Sequence, residues 1–221
     1  MKTFYLSSSL VIASSFLCTP AMADTIWTTW TTASVGDPGS ASGSLGSIAV
    51  SYSGEVNGNT NISGTSTDWS NPASSFIGGT VTRSPSTVGD IIAENGSYTG
   101  INTLTFSSPI VNPVFAVWSL GEPSLPASYT FNATPTLEAG GTDIYGGSSI
   151  SVSGNSIDGA EGSGVVQFTG TFTSISWTDT PENYYGFTVG EANTAPEPAP
   201  IGLLACGITG LWFVRKRALV G

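Results

Sequence analysis

Two pairs of carboxylates, each pair three residues apart, have a spacing that could support chemistry. Asp158 and Glu161 stand in a glycine-flanked loop, and Asp179 and Glu182 enclose Thr180–Pro181. Hydrolysis of a glycoside needs two carboxyl groups about 5–9.5 Å apart, one of them with a raised pKa. Loop residues three apart can reach that separation, but so can solvated pairs that have no function. The spacing by itself therefore does not predict an enzyme, and we expect no catalytic residues.

Calcium binding is the other use of such carboxylates, because Ca²⁺ takes about six to eight oxygen ligands from carboxylates, amides and backbone carbonyls. The candidate ligands are Asn155, Asp158 and Glu161, with Asp143 in the preceding loop as an additional one. Their spacing matches neither an EF-hand loop nor a calcium β-roll repeat. A solvated acidic turn without metal is the alternative, and we prefer it. No cofactor other than calcium is expected.

Exposed aromatic rings would indicate sugar binding, because a flat ring packs on a pyranose face while polar neighbours bond the sugar hydroxyls. Trp69 stands in a polar segment that ends at Pro72, and Tyr184 and Tyr185 follow Asn183. These three aromatic residues are the candidates for a glycan-binding platform. The alternative for Trp69 is that it covers the hydrophobic core, and we prefer it.

Composition excludes several classes of function. Histidine is absent from the chain, which excludes a Ser-His-Asp or Cys-His nucleophile and removes the commonest zinc ligand. Of the 15 acidic residues only Glu197 lies outside residues 24–195, and of the five basic residues only Arg83 lies inside, so this part has a net charge of −13. Such an acidic domain will not bind nucleic acid by electrostatic attraction. A neutral or cation-bridged glycan is a compatible partner.

Short runs of β-branched and aromatic residues alternate with clusters of Gly, Asn, Ser, Asp and Pro, which is the pattern of an all-β protein. The apolar run Val114–Trp118 predicts a central strand covered on both faces. Phe168–Phe172 predicts a tight hairpin around Gly170, and the Ser- and Gly-rich segment Gly36–Gly46 predicts a surface loop. We predict an antiparallel β-sandwich, of which a jelly roll is one form, with strands at 26–31, 48–53, 79–82, 101–106, 114–119, 128–132, 149–153, 165–169, 174–178 and 185–189.

The N-terminus has the features of a secretory signal peptide. Lys2 precedes an apolar stretch from Phe4 to Leu17, and the small residues that follow form an A-x-A cleavage site at 21–23. We therefore place the cut by signal peptidase between Ala23 and Asp24.

The C-terminus combines three features in a fixed order. Pro196-Glu197-Pro198 is followed by an uncharged run, Ala199–Val214, and then by Arg215, Lys216 and Arg217. As a helix the 16 residues of the run span about 24 Å, somewhat less than the ~30 Å hydrocarbon core. Snorkelling of the basic side chains narrows that difference. The basic cluster places its end in the cytoplasm, so the tail predicts a transmembrane helix with the preceding chain outside.

This arrangement resembles the PEP-CTERM sorting signal of exopolysaccharide-producing Gram-negative bacteria. The resemblance implies that an exosortase, a membrane-embedded cysteine transpeptidase-like enzyme, recognises Pro196, Glu197 and Pro198 and cuts near them. Val50–Val56 and Gly164–Phe172 are similar to segments that recur in exported proteins of this class, and they imply no activity. The chain then divides into a signal peptide, a β-sandwich domain, a linker and a sorting domain, at residues 1–23, 24–190, 191–195 and 196–221.

From these features we expect a non-enzymatic exported protein of the cell surface or of an exopolysaccharide or biofilm matrix. A lectin-like carbohydrate-binding module, calcium-dependent or not, is the alternative, and a glycoside-active enzyme is less favoured. The expected partners are signal peptidase, the exosortase and the polysaccharide matrix, with the inner membrane holding the C-terminal helix before processing. Nucleic acid is not an expected partner. A surface protein that keeps its membrane anchor is a further alternative.

Overall fold

The computed structural model describes residues 24–64, 68–70, 72–86 and 89–192, and this part of the chain consists mainly of β-strands. The described residues belong to one compact unit, Met22–Thr194. Besides the strands they contain a 3₁₀ helix of four residues, Ala73–Phe76. The prediction of an all-β protein with antiparallel sheets is confirmed.

Seven strands form the first sheet: β1 (Ile26–Trp27), β5 (Ile92–Glu94), β7 (Pro113–Leu120), β9 (Pro135–Gly141), β10 (Ser148–Ser149), β13 (Gly162–Phe168) and β15 (Tyr185–Glu191). Their order is β1-β15-β7-β13-β10, and β5 and β9 pair with β15 and β13 respectively. All of these pairs are antiparallel except β10 with β13. The last strand of the domain therefore lies inside the sheet, between β1 and β7.

Eight strands form the second sheet: β2 (Thr29–Ser34), β3 (Gly36–Leu45), β4 (Ile48–Val56), β6 (Asn102–Val111), β8 (Ala127–Phe131), β11 (Ser151–Ser153), β12 (Ser156–Gly159) and β14 (Thr171–Asp179). Their order is β11-β12-β8-β14-β6-β4-β3-β2, and every pair is antiparallel. Along these strands buried residues alternate with exposed ones, as in β4 and β6. One face of this sheet is therefore buried and the other meets solvent.

The main hydrophobic core contains side chains from both sheets, which is the layered arrangement of a β-sandwich. Strand β7 shows how the first sheet is covered on both sides. Phe115 and Val117 belong to the main core, whereas Val114, Ala116 and Trp118 belong to a second core on the opposite face. All eight residues of β7 are buried, so the prediction of a central, doubly covered strand is confirmed. The jelly-roll topology stays a prediction.

Two predicted strands are each divided between the sheets. The segment 26–31 contains the whole of β1 in the first sheet and the start of β2 in the second. Thr28 makes the transition, and its backbone N–H and its hydroxyl both donate to the carbonyl oxygen of Val189. In the segment 149–153, the buried Ile150 separates β10 from β11. Sequence periodicity did not reveal these transitions because both halves of each segment are extended.

The prediction of a surface loop at Gly36–Gly46 is wrong, because Gly36–Leu45 is β3. Ala41 and Leu45 point into the core, while Ser40 and Ser44 are exposed. This alternation has the period of a strand, but the inward positions carry such small side chains that composition concealed it. Gly43 is required because a Cβ there would clash with the backbone of Thr29 in β2.

The predicted hairpin at Phe168–Phe172 is also wrong. β13 ends at Phe168 in the first sheet and β14 begins at Thr171 in the second, so the turn joins the two sheets. Gly170 does have the expected unusual backbone, with φ +126°. The predicted strand at 79–82 is absent from the described residues, where Gly78 and Val81 form only an isolated bridge.

The end of the domain lies slightly later than predicted. Glu191, which we assigned to the linker, is the last residue of β15, and Ala192 is buried in the second core. The signal peptide up to Ala23 and the sorting domain, with Pro196, Glu197, Pro198 and the basic cluster, lie outside the described residues. Among the helices of the described part, none has the length and hydropathy to span a bilayer.

Candidate functional site

The predicted aromatic platform is not exposed. Trp69 and Tyr185 are both 0% exposed, and the ring of Trp69 packs edge-on against Phe76 at a centroid distance of 5.1 Å. Tyr184 is half-buried and packs against Trp118 at 5.3 Å. Sugar stacking needs an accessible ring face, so Trp69 and Tyr185 cannot form the candidate platform. Trp69 instead has the alternative role, because its side chain belongs to the second hydrophobic core.

The predicted calcium ligands are not gathered. Asn155 lies in the turn before β12, where its side-chain amide donates to the carbonyl oxygen of Phe131 at 2.7 Å. Asp158 lies within β12, not in a loop, and Glu161 follows that strand and accepts a hydrogen bond of 2.6 Å from the Ser119 hydroxyl. Because a strand rises about 3.3 Å per residue, β12 holds Asn155 and Glu161 far apart. Among the described residues no group of three or more Asp, Glu, His or Cys could hold a metal ion.

The additional calcium candidate, Asp143, is buried and already has hydrogen-bond partners. Its carboxylate accepts from the backbone N–H of Tyr145 at 2.8 Å and from the Ser163 hydroxyl at 3.2 Å. The Ser163 hydroxyl also accepts from the backbone N–H of Ser119 at 3.0 Å. These contacts fix the chain after β9 against β7 and β13.

Asp179 and Glu182 both have raised pKa values but face different neighbours. Burial raises the pKa of Asp179 to about 6, and the hydrogen bond from Tyr185 opposes the rise. Burial raises the pKa of Glu182 to about 7, with backbone hydrogen bonds opposing and the charges of Glu161 and Glu122 adding to it. The nearby charge that acts on Asp179 is instead Glu55. The two carboxyls therefore belong to separate environments rather than to one acid–base pair.

A buried carboxyl that the sequence analysis missed lies between the sheets. Glu94 ends β5 in the first sheet, is 0% exposed, and its two carboxyl oxygens form hydrogen bonds with the Tyr52 hydroxyl at 2.6 Å and with the Tyr129 hydroxyl at 2.5 Å. Both tyrosines come from the second sheet. Burial raises the pKa of Glu94 well above its usual range, the charges of Asp179 and Glu55 add to this, and the tyrosine hydrogen bonds oppose it. The sequence signal is a single Glu that ends the apolar run 91–93.

Hydrogen-bond counting around Tyr52 also indicates a neutral Glu94. The Tyr52 oxygen lies 2.6 Å from Glu94 Oε1, 2.8 Å from the Glu55 carbonyl oxygen and 2.9 Å from Asn102 Oδ1. A tyrosine hydroxyl has one proton for these three acceptors. If Glu94 is protonated, it donates to the Tyr52 oxygen, and Tyr52 donates to one of the other two. The cluster of Glu94, Tyr52 and Tyr129 is therefore satisfied with a neutral carboxyl.

The location of the basic residue in the described part of the chain also supports a neutral Glu94. The described part of the chain contains one basic residue, Arg83, and it is paired at the surface with Asp24 at 2.5 Å. A carboxylate in the core would have no opposite charge, and an unpaired buried charge is strongly unfavourable. Glu94 thus links the two sheets through hydrogen bonds, which is a structural role.

The exposed face of the second sheet carries a regular array of hydroxyl side chains. One row crosses five neighbouring strands and consists of Ser34, Ser40, Ser53, Thr103 and Ser176. The next row crosses the same strands and consists of Thr32, Ser42, Ser51, Thr105 and Ser174. In each row the residues are direct cross-strand partners, and all ten are exposed or half-buried. We call these two rows the hydroxyl face.

A shallow groove of about 350 Å³ lies on this face, bordered by Ser42, Ser51, Thr105 and Ser107. Gly43 and Ala49 also line it. Two other depressions, of about 600 and 210 Å³, lie near Trp27 and near Trp177. None of the four carboxylates considered for catalysis lines any of these three depressions.

Comparison of the chain with protein-family models, with curated proteins and with solved structures gives no match.

Proposed function

We propose that this protein is a non-enzymatic component of the cell surface or of the extracellular polysaccharide matrix, exported through its signal peptide and sorted by an exosortase-type enzyme. The observation that carries the proposal is the order of features at the C-terminus. Pro196-Glu197-Pro198, an apolar run and Arg215-Lys216-Arg217 follow one another within the last 26 residues. The independent A-x-A site before Asp24 supports export.

The described domain is compatible with this role. The main hydrophobic core, which contains side chains from both sheets, supports a β-sandwich, and we propose a jelly roll as its form. The most deeply buried carboxyl, that of Glu94, is used to join the two sheets. Asp158 is an exposed strand residue, and Glu161 is bonded to Ser119. These roles support a non-enzymatic protein that requires no metal.

The test is the mass of the mature protein recovered from cells, from their membranes and from the medium. We expect a chain that begins at Asp24 and ends near Pro196, without the basic cluster. Replacing Pro196, Glu197 and Pro198 together by Ala should keep the tail on the protein and hold it in the membrane. A matched control replaces Thr194 and Ala195 by Ser. Wild-type protein that still contains Arg215–Gly221 at the surface would contradict exosortase processing and favour a permanent anchor.

A lectin-like module is the second candidate, and the hydroxyl face is the observation that favours it. Trp69 and Tyr185 are buried, so this candidate no longer depends on an aromatic platform. A glycoside-active enzyme would instead require turnover that is lost in Asp158→Asn or Glu161→Gln while the fold is kept.

A further inference from the structure

The hydroxyl face has the geometry of a repeating surface. Neighbouring strands lie about 4.8 Å apart, and residues two apart along a strand lie about 6.7 Å apart. Ser51 and Thr105 are cross-strand partners at the centre of the second row, and Ser53 and Thr103 occupy the same place in the first row. The two rows thus present hydroxyls at two regular spacings over five strands.

These hydroxyls are available to an outside partner. Thr32 and Ser42 bond to each other at 2.6 Å, but the hydroxyls of Ser51 and Thr105 make no hydrogen bond to another residue in the described part of the chain. Each hydroxyl can donate one hydrogen bond and accept two. Of the other hydroxyls at the groove, that of Thr31 donates to the Ser42 carbonyl oxygen and that of Ser107 accepts from the Ala49 backbone N–H.

The charge distribution narrows the choice of partner. The domain has a net charge of −13, yet neither row contains an acidic or a basic residue. A cationic partner would be drawn to the acidic residues elsewhere on the domain, and an anionic polymer would be repelled by them. A neutral polymer that itself carries repeated hydroxyl groups matches this face in both charge and hydrogen bonding.

We propose that the hydroxyl face binds chains of a neutral polysaccharide, with a sugar unit seated in the groove beside Ser51 and Thr105. Each neutral hydrogen bond contributes little, so affinity depends on many contacts along one polymer chain. Short oligosaccharides therefore bind far more weakly than the polymer. The inference deepens the proposed function by naming the partner class, and it rests on that function only for access to the polymer.

The test is co-sedimentation of residues 24–195 with insoluble cellulose, curdlan and mannan, and affinity electrophoresis in soluble dextran. This fragment contains every described strand and both cores, and its cooperative unfolding is measured first. We expect saturable binding to at least one of these neutral polymers, unchanged by EDTA. No saturable binding to any of the four would overturn the proposal.

Two double variants locate the site. Ser51→Ala with Thr105→Val removes two central hydroxyls and should weaken binding about tenfold, as expected from the loss of two neutral hydrogen bonds. Ser148→Ala with Thr136→Val makes the same chemical changes at exposed positions of the first sheet and should bind as the wild type does. Equal binding by the two variants would overturn the assignment to this face.

Two further results separate this proposal from others. Self-association of the protein alone, lost in Ser51→Ala with Thr105→Val, would assign the face to a second copy and overturn the proposal. Failure of tail processing in cells with intact polysaccharide binding would contradict the sorting proposal alone. Intact processing with no polysaccharide binding would contradict only the binding face.

Discussion

The hydroxyl of Tyr129 donates a hydrogen bond of 2.5 Å to Glu94 Oε2, and this bond joins the two sheets inside the core. The other carboxyl oxygen meets Tyr52 at 2.6 Å. Burial raises the pKa values of both tyrosines, so both hydroxyls keep their protons. A neutral acid and two neutral phenols therefore form the polar centre of an otherwise apolar core.

Glu94→Gln should preserve stability at pH 7, because glutamine is a neutral group of nearly the same shape. Its oxygen can accept from Tyr129 and its amide can donate to the Tyr52 oxygen. Glu94→Ala should lower the free energy of unfolding by about 1–3 kcal/mol, since it leaves the buried Tyr129 hydroxyl unpaired. Urea denaturation of both variants measures the difference. Equal destabilisation by Gln and Ala would mean that the core requires an ionised carboxylate.

Stability should fall as the pH rises from about 4 to about 7. The folded-state pKa is raised from 3.8 to about 6 for Asp179 and from 4.5 to about 7 for Glu182. At pH values between the unfolded-state and folded-state pKa of each carboxyl, the folded protein binds more protons than the unfolded chain. The stability that these protons contribute is therefore fully present below about pH 4 and is lost as the pH rises through the folded-state pKa. Each additional proton bound contributes a slope of up to about 1.4 kcal/mol per pH unit.

The pH dependence is measured by urea denaturation at several pH values. Asp179→Asn should flatten the slope between pH 4 and 6, because the amide does not titrate. Glu182→Gln should flatten it less, between about pH 5 and 7, since Glu182 is partly exposed and solvent screens its interactions. An increase of wild-type stability over this range would contradict the prediction.

Gly54→Ala should destabilise the domain by about 1–3 kcal/mol through overpacking. A Cβ at this position would clash with the side chain of Asn102 and would lie 2.6 Å from the Tyr52 oxygen. Gly58→Ala is the control, because a Cβ there has no neighbour within 4 Å, and it should change stability by less than about 0.5 kcal/mol. Thermal unfolding followed by circular dichroism compares the two. A Gly54→Ala protein as stable as Gly58→Ala would show that this part of the core can relax.

Trp69→Ala should cost about 3–5 kcal/mol of stability, as large-to-small changes of aromatic core residues do. Trp69→Phe should cost less than half of that, because it keeps a ring against Phe76. It also removes the indole N–H, which has no acceptor among the described residues. Guanidinium denaturation gives both values. Loss of polysaccharide binding in Trp69→Phe with unchanged stability would contradict the structural role of this residue.

The sequence pattern predicted the strands that carry large apolar side chains. Val114–Trp118 was identified because the strand is apolar throughout and is covered on both sides. Gly36–Leu45 was missed because its inward residues, such as Ala41 and Gly43, are as small as its outward serines. The sequence also did not reveal that the chain changes sheets at Thr28 or at Gly170. An extended backbone looks the same on both sides of such a transition.

The site residues show the same limits. Trp69 has polar neighbours in sequence but packs against Phe76 in space, so local composition could not identify the ring that it covers. Glu94 ends an apolar run, and its two tyrosine partners come from the other sheet, 42 and 35 residues away in sequence. The hydroxyl face depends on the register of five strands. Serine and threonine in alternate positions were visible in the sequence, but their alignment in rows was not.

The position of β15 has a consequence for the order of folding. This strand is the last in the domain, yet it pairs with β1, β5 and β7, and Ile26 at the start of the domain pairs with Glu191 at its end. Contacts between such distant parts of a chain form slowly, because closing the long intervening loop costs conformational entropy before the contacts stabilise the sheet. The first sheet therefore cannot be completed during synthesis until Glu191 has emerged, five residues before Pro196. The domain is therefore completed late, which is compatible with the proposed export of the chain in an unfolded state.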